Sequence, residues 1–175
     1  MTKLILSAIL AIPVVAQTTV KDALIQHWKT SGEFTVAVAE AMPADDYNFR
    51  PNPEEMSFGQ LMAHIAGVNL NACANASGLP RPALPPKIAE WAKATAKVDI
   101  DKETAIPFLK DSFDFCDKAV AATTPERMDS VVGPAARHLT GFEWLWAYFT
   151  HTAHHRGQAE VYLRVKGIKP PAYRF

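Results

Sequence analysis

No charge of either sign predominates in this sequence: 18 lysines and arginines meet 18 aspartates and glutamates. A chain without a basic excess lacks the electrostatic footprint of a nucleic-acid binder. No run of like charge marks a tail for membranes or acidic partners. Cysteine is scarce, with only Cys73 and Cys116 present. Their spacing is neither a CxxC redox pair nor a zinc pattern. It leaves open a disulfide or two small buried thiols. No period-two alternation argues for a sheet, and there is no internal repeat or low-complexity segment. A membrane span is missing too, because the apolar run at 4–16 falls short of the roughly 20 residues a spanning helix needs.

That run reads instead as an export signal. Lys3 supplies a positive start, and Val14-Val15-Ala16 before Gln17 resembles a signal-peptidase site. Pro13 argues against the alternative of a buried first helix, since it would break a helix interior. No cysteine follows the run to carry a lipid anchor. The expectation is a signal peptide at 1–16 and one domain at 17–175, periplasmic or secreted, with no stable membrane anchor. Apolar residues make up 49% of the chain, enough for a packed core and against disorder.

Helical signals fill that domain. The first helix is expected at about 19–42, with Val20, Leu24, His27, Ser31, Phe34 and Val38 near one face. Pro43 then stops it. Ser57-Phe58-Gly59-Gln60 is a capping box that starts a second helix, with Met56 and Leu61 placed as a hydrophobic staple. This helix should pass His64 and end near Ala76, before Gly78 and Pro80. A proline-rich connection at 79–101 follows, with a short helix expected near 88–94. Connections between antiparallel bundle neighbours usually take about 2–8 residues, so a crossover this long lets the second and third helices run parallel. The third helix is expected at about 104–122, with Pro107 in its first turn or bending it. A connection at 123–140 leads to a fourth helix at about 141–166, closed by Gly167 and by Pro170-Pro171.

The chemistry lies in the histidines. His151 and His155 stand four apart, so on a helix they share a face and can reach one metal ion. Thr152 occupies the position where a helical HExxH protease carries its glutamate base, so that class is excluded. His64 is the best third ligand, mid-helix beside Leu61, Ile65 and Val68. A buried imidazole needs partners for its nitrogens, and a metal on one with a hydrogen bond on the other supplies them. Three protein ligands leave a coordination position open, as at catalytic zinc sites. The plainer alternative is a helical bundle with ordinary packed histidines. His154 lies about 100° from His155 around the helix and points elsewhere. His27 reads as a hydrogen-bonded core residue or a partner behind the ligands, and His138 is assigned nothing.

Two segments together resemble the DinB/YfiT-like superfamily. Tyr47-Asn48-Phe49-Arg50-Pro51 followed by Ser57 and His64 is similar to its first half. His151-Thr152-Ala153-His154-His155-Arg156-Gly157-Gln158 is similar to its second, an HxxxHRGQ segment. The likeness spans about 20–171. It implies an all-α four-helix bundle, connected up-down-down-up with the long crossover between helices two and three. It also implies one divalent metal ion, zinc or nickel, on His64, His151 and His155.

What the resemblance implies for function is a metal-dependent hydrolase or thiol transferase acting on a small-molecule substrate; it also allows a homodimer. No general base stands at a convincing spacing, so the catalytic residues stay unassigned. The alternative is a non-catalytic metal- or ligand-binding bundle of the cell envelope. Gln158 either lines the pocket or hydrogen-bonds within the bundle. Trp144 and Tyr148 are expected in the core, Arg156 in an ion pair with an acidic side chain, and Tyr47, Phe49, Arg50 and Pro51 as loop anchors.

Overall fold

The structure, a computed structural model, describes residues 19–94 and 98–174. The expected signal peptide lies outside these residues. The described residues are all-helical, with six α-helices: α1 (Val20–Ala41), α2 (Phe58–Ser77), α3 (Pro86–Ala94), α4 (Lys102–Ala122), α5 (Pro125–Asp129) and α6 (Gly141–Val165). A 3-10 turn at Ala44–Asp46 follows α1. None of these helices is long and apolar enough to cross a membrane.

The helices start where side chains meet the unpaired N–H groups of a first turn. Ser57 and Gln60 close their box over α2, with the Gln60 amide donating to Ser57 Oγ (3.3 Å) and the Ser57 amide to Gln60 Oε1 (3.0 Å). The same device opens α1 with Thr19 and Asp22, and α6 with Thr140 and Glu143. At α4 the cap is Asp101, whose Oδ1 accepts from the Thr104 amide at 2.8 Å. That helix therefore begins two residues before the expected Thr104, and Pro107 sits inside it. Lys87 of α3 pairs with Asp101, and that bond and the cap hold the carboxyl down at about 2. The connection before α6 holds the unexpected α5, where Thr124 caps and Pro125 occupies the first turn. An antiparallel bridge between Val131 and Thr140 closes the rest of that loop. Gly78 and Gly167 leave their helices at φ of +79° and +75°, the left-handed conformation that suits glycine.

Four long helices build the core. α2 packs on α4 and α6, and α1 packs on the same two. Trp28 of α1 is fully buried, edge-on to Phe113 of α4 and Phe149 of α6. Val20, expected on the inner face of α1, is instead exposed at the helix start, where it borders an open cleft against α5 and Phe142 of α6. Cys73 and Cys116, whose state the sequence left open, form a disulfide between α2 and α4, with Cα atoms 5.3 Å apart. Gly59 lets the chain before α4 lie directly on α2: a Cβ there would stand 1.8 Å from the Ile100 carbonyl oxygen. Gln60 donates to the Val98 carbonyl (3.1 Å) and fastens the same crossover.

Candidate metal centre

His64 projects from the middle of α2, and His151 and His155 project from successive turns of α6. All three are half-buried. The Nε2 atom of His151 lies 3.2 Å from that of His64 and 3.0 Å from that of His155. One ligand atom from each residue falls within 4.8 Å of the others. Four tetrahedral nitrogens at about 2.0–2.1 Å from a zinc ion are roughly 3.3 Å apart, so these separations are of the right size.

The electrostatics agree with a site for a cation. Burial, and then the neighbouring His155, push the imidazoles of His64 and His151 down to about 4, and burial lowers His155 as well. All three rings are therefore neutral near pH 7. Gln158 Oε1 lies 2.6 Å from His155 Nδ1 and can only accept, so that nitrogen carries the proton. Its Nε2 then holds a lone pair aimed at His151. A proton on His151 Nε2 could serve one or two of its neighbours, whereas a metal ion serves all three nitrogens. His151 Nδ1, by contrast, has no hydrogen-bond partner among the described residues, so the outer support seen at His155 is not repeated there.

The surroundings sort the remaining expectations. Tyr148 sets its ring 5.7 Å from that of His151 and stacks on Trp144 at 5.5 Å. Trp144 is core, its indole donating to the Val132 carbonyl, whereas Tyr148 walls the histidine site. His154 is exposed, and His27 is half-buried on α1 near Arg156, away from the triad. His138 is exposed in the last loop at φ +48°. Tyr47, Phe49 and Arg50 anchor the loop before α2: the Tyr47 hydroxyl donates to the Ala39 carbonyl, Phe49 packs on Tyr162, and Arg50 donates to the Glu55 carbonyl. Pro51 of that loop is exposed.

Arg156 departs from expectation. Its Nη1 donates to Ser31 Oγ at 2.8 Å and Thr35 Oγ1 at 3.2 Å, and no carboxylate pairs with it among the described residues. The ion pair fails because the face of α1 it meets offers hydroxyls, not acids. Glu55 is the group that the sequence reasoning missed. Its carboxylate acts on His155 and favours the charged imidazole. It is carried there by a loop whose next residue, Met56, accepts from the Tyr162 hydroxyl of α6. Nothing in the linear spacing signals that approach.

A cleft of about 260 Å³ adjoins His64, walled by Val68, Leu84, Ile88 and Trp91, with Arg81 at its edge. Across α3 lies a second of about 410 Å³, lined by Arg50, Glu55, Met56 and Gln60.

The DinB superfamily profile matches residues 27–159, three quarters of the chain and both histidine segments. The chain belongs to the DinB superfamily. Solved DinB structures share its fold. A DinB-like protein from Bacillus cereus superposes with a TM-score of 0.71 at 17% identity, covering 90% of this chain and 99% of its own. One from Bacillus subtilis gives 0.67 at 19% identity, covering 86% and 96%. A DinB family member from Exiguobacterium sibiricum gives 0.63 at 20% identity, covering 89% and 97%. No curated protein matches the sequence. In this DinB chain the donor set, neutral and converging, suits a divalent ion that accepts imidazole nitrogen.

Proposed function

We propose that this chain is a metalloprotein whose one divalent ion, zinc or nickel, is held by His64, His151 and His155 within an up-down-down-up four-helix bundle. The observation that carries the reading is the convergence of three imidazole nitrogens from α2 and α6. Membership of a superfamily that generally binds metal supports it. Three neutral ligands leave the ion its full charge, and such an ion polarises an acceptor oxygen and lowers the pKa of bound water toward about 7.

The reaction class that follows is hydrolysis of a small, partly apolar substrate, or transfer to a thiol. Export, expected from the N-terminal run, sets hydrolysis ahead of thiols made inside the cell. The chain's own residues contribute binding and proton handling. Val68, Leu84, Ile88 and Trp91 offer apolar walls beside His64. Gln158 fixes the tautomer of His155, and the Glu55 carboxylate favours its charged form. The second reading is a non-catalytic binder in which the ion ties α2 to α6 and contributes to folding. It is favoured by the fact that no carboxylate hydrogen-bonds any of the three histidines among the described residues.

The test is metal content per chain in untagged protein taken from its natural compartment. About one equivalent is expected, lost in His64→Ala and in His151→Ala. A parent that holds no metal after dialysis against zinc and nickel near neutral pH overturns the reading. With metal in place, turnover in a screen of hydrolase and thiol-transfer substrates separates enzyme from binder.

A further inference from the structure

Among the described residues Arg156 is one of nine buried polar or charged side chains and the only one of them with a permanent charge. It is 8% exposed. A buried cation is costly unless it is paired or its donors are fully used. Here only Nη1 is used, donating to Ser31 Oγ and Thr35 Oγ1, with a longer contact of 3.4 Å to the Ser31 carbonyl. Nε and Nη2 make no hydrogen bond among the described residues and are not sealed from solvent, so they face the cavity beside the guanidinium. The ring of Phe34 lies 4.6 Å from the guanidinium carbon and covers one side of it. Glu160, one turn on, is the carboxylate that acts on Arg156, but it pairs with Arg164 at 3.6 Å.

The side chain lines a cavity of about 90 Å³ at the seam between α1, α6 and the C-terminal segment. Among the described residues its lining includes a second guanidinium, Arg174, together with His27 and Thr30, and no carboxylate. Arg174 makes an exposed pair with Glu33 at 3.6 Å. The volume admits several waters but lies far below the roughly 300–1,000 Å³ of sites for drug-sized ligands. Arg156 is about 140° around α6 from His151, so this cavity faces α1 while the triad faces α2.

We infer that this cavity is a binding site for a small oxyanion, a carboxylate, phosphate or sulfate group held by the free edge of the Arg156 fork and by Arg174. Two parallel N–H donors on one planar cation match two oxygens of such a group. Thr30 is also in the lining, but its hydroxyl donates to the Gln26 carbonyl at 3.1 Å. The anion supplies the countercharge that α1 does not, and it pins the C-terminal segment, whose Tyr173 packs edge-on to Phe34 at 5.8 Å, over the α1–α6 seam. The site stands apart from the histidine centre and does not depend on it.

The test is calorimetric titration of the chelator-treated full chain with phosphate, sulfate and acetate, against chloride at the same ionic strength. Chelation removes any ion at the triad that could itself bind these anions. The expected result is saturable one-site binding of at least one oxyanion, with chloride not binding. Affinity should fall at least tenfold in Arg174→Gln and in Arg156→Lys, which keeps the charge and loses the fork. Preference for acetate assigns a carboxylate ligand, and preference for phosphate or sulfate a tetrahedral one. Should Arg156→Lys fail to fold, Arg174→Gln decides. No oxyanion binding tighter than chloride, or affinity unchanged in the folded variants, overturns the assignment.

Discussion

Removing the Cys73–Cys116 bond should cost this protein a large share of its stability. The two residues are 43 apart in sequence, so the bond closes a loop of that length in the unfolded chain. Loop-closure entropy for a ring of this size amounts to about 4 kcal/mol at 25 °C. A chain of this length shifts its melting temperature by roughly 2–4 °C per kcal/mol, so the melting point should drop by about 8–16 °C. The assay is differential scanning calorimetry of the parent, the parent with a reducing agent, and Cys73→Ala/Cys116→Ala. Both sulfurs are fully buried, so the double variant also loses packing and should melt at or below the reduced parent. Thiol titration of the non-reduced parent in denaturant should find no free thiol. Two free thiols in protein from its natural compartment, or a double variant melting within about 2 °C of the parent, would refute the reasoning.

Other consequences follow from the site and the crossover. In metal-free protein, His64 and His151 sit at about 4 in the fold against 6.5 for free imidazole, so the unfolded chain binds more protons between those values. Their contribution should be whole above pH 6.5 and lost as pH falls toward 4. Urea midpoints at pH 7.5, 5.5 and 4.5 should therefore fall more steeply in the parent than in His64→Gln/His151→Gln, and parallel curves would count against the neutral triad. Gln158→Leu removes the acceptor at His155 Nδ1 and should weaken metal binding by about 10–100-fold in a chelator competition; unchanged affinity would mean that Gln158 does not support the ligand. Gly59→Ala drives a methyl into the Ile100 carbonyl and should destabilise by about 2–4 kcal/mol in urea unfolding, with an effect below 0.5 kcal/mol contradicting the close approach.

What the sequence made legible was local. The Ser57/Gln60 box and the left-handed glycine after α2 are sequence-near signals, and they bound that helix to within a residue. The same box pattern stands at Thr19/Asp22 and Thr140/Glu143. Asp101 was read as the end of the proline-rich connection and not as the cap it is, and the segment expected only as a connection after α4 holds α5, with Pro125 as its first residue. The triad was legible because two members are one turn apart and the third follows a capping box. Arg156 and Glu55 were not. The hydroxyls that receive Arg156 are 125 and 121 residues away, and the Glu55 carboxylate acts on His155 across about 100 residues of sequence.

The cross-links also divide the labour among the helices. α2 is fixed on both flanks. Cys73 bonds it to α4, while His64 faces α6, where buried Thr152 also donates to Asn69 Oδ1 at 2.9 Å. α1 carries neither a cysteine nor one of the three histidines. It is held by Trp28 among apolar rings, by the Arg156 bonds to Ser31 and Thr35 of α1, and by lysine bonds that join it to α4: Lys21 to the Ala121 carbonyl, Lys102 to the Glu40 carbonyl and Lys110 to the Glu40 carboxylate. An ion at the triad would therefore stiffen the α2–α6 seam and leave α2–α4 as the disulfide sets it. An oxyanion on Arg156 would stiffen the opposite face of α6, against α1. The two ligands would then act on different seams of one helix, so their effects on backbone amide exchange should be separable: the ion protecting α2 and the His151 turn, the oxyanion protecting α1 around Ser31. If either ligand protected both seams equally, α6 would be transmitting the change as a rigid rod, and the division argued from these contacts would not hold.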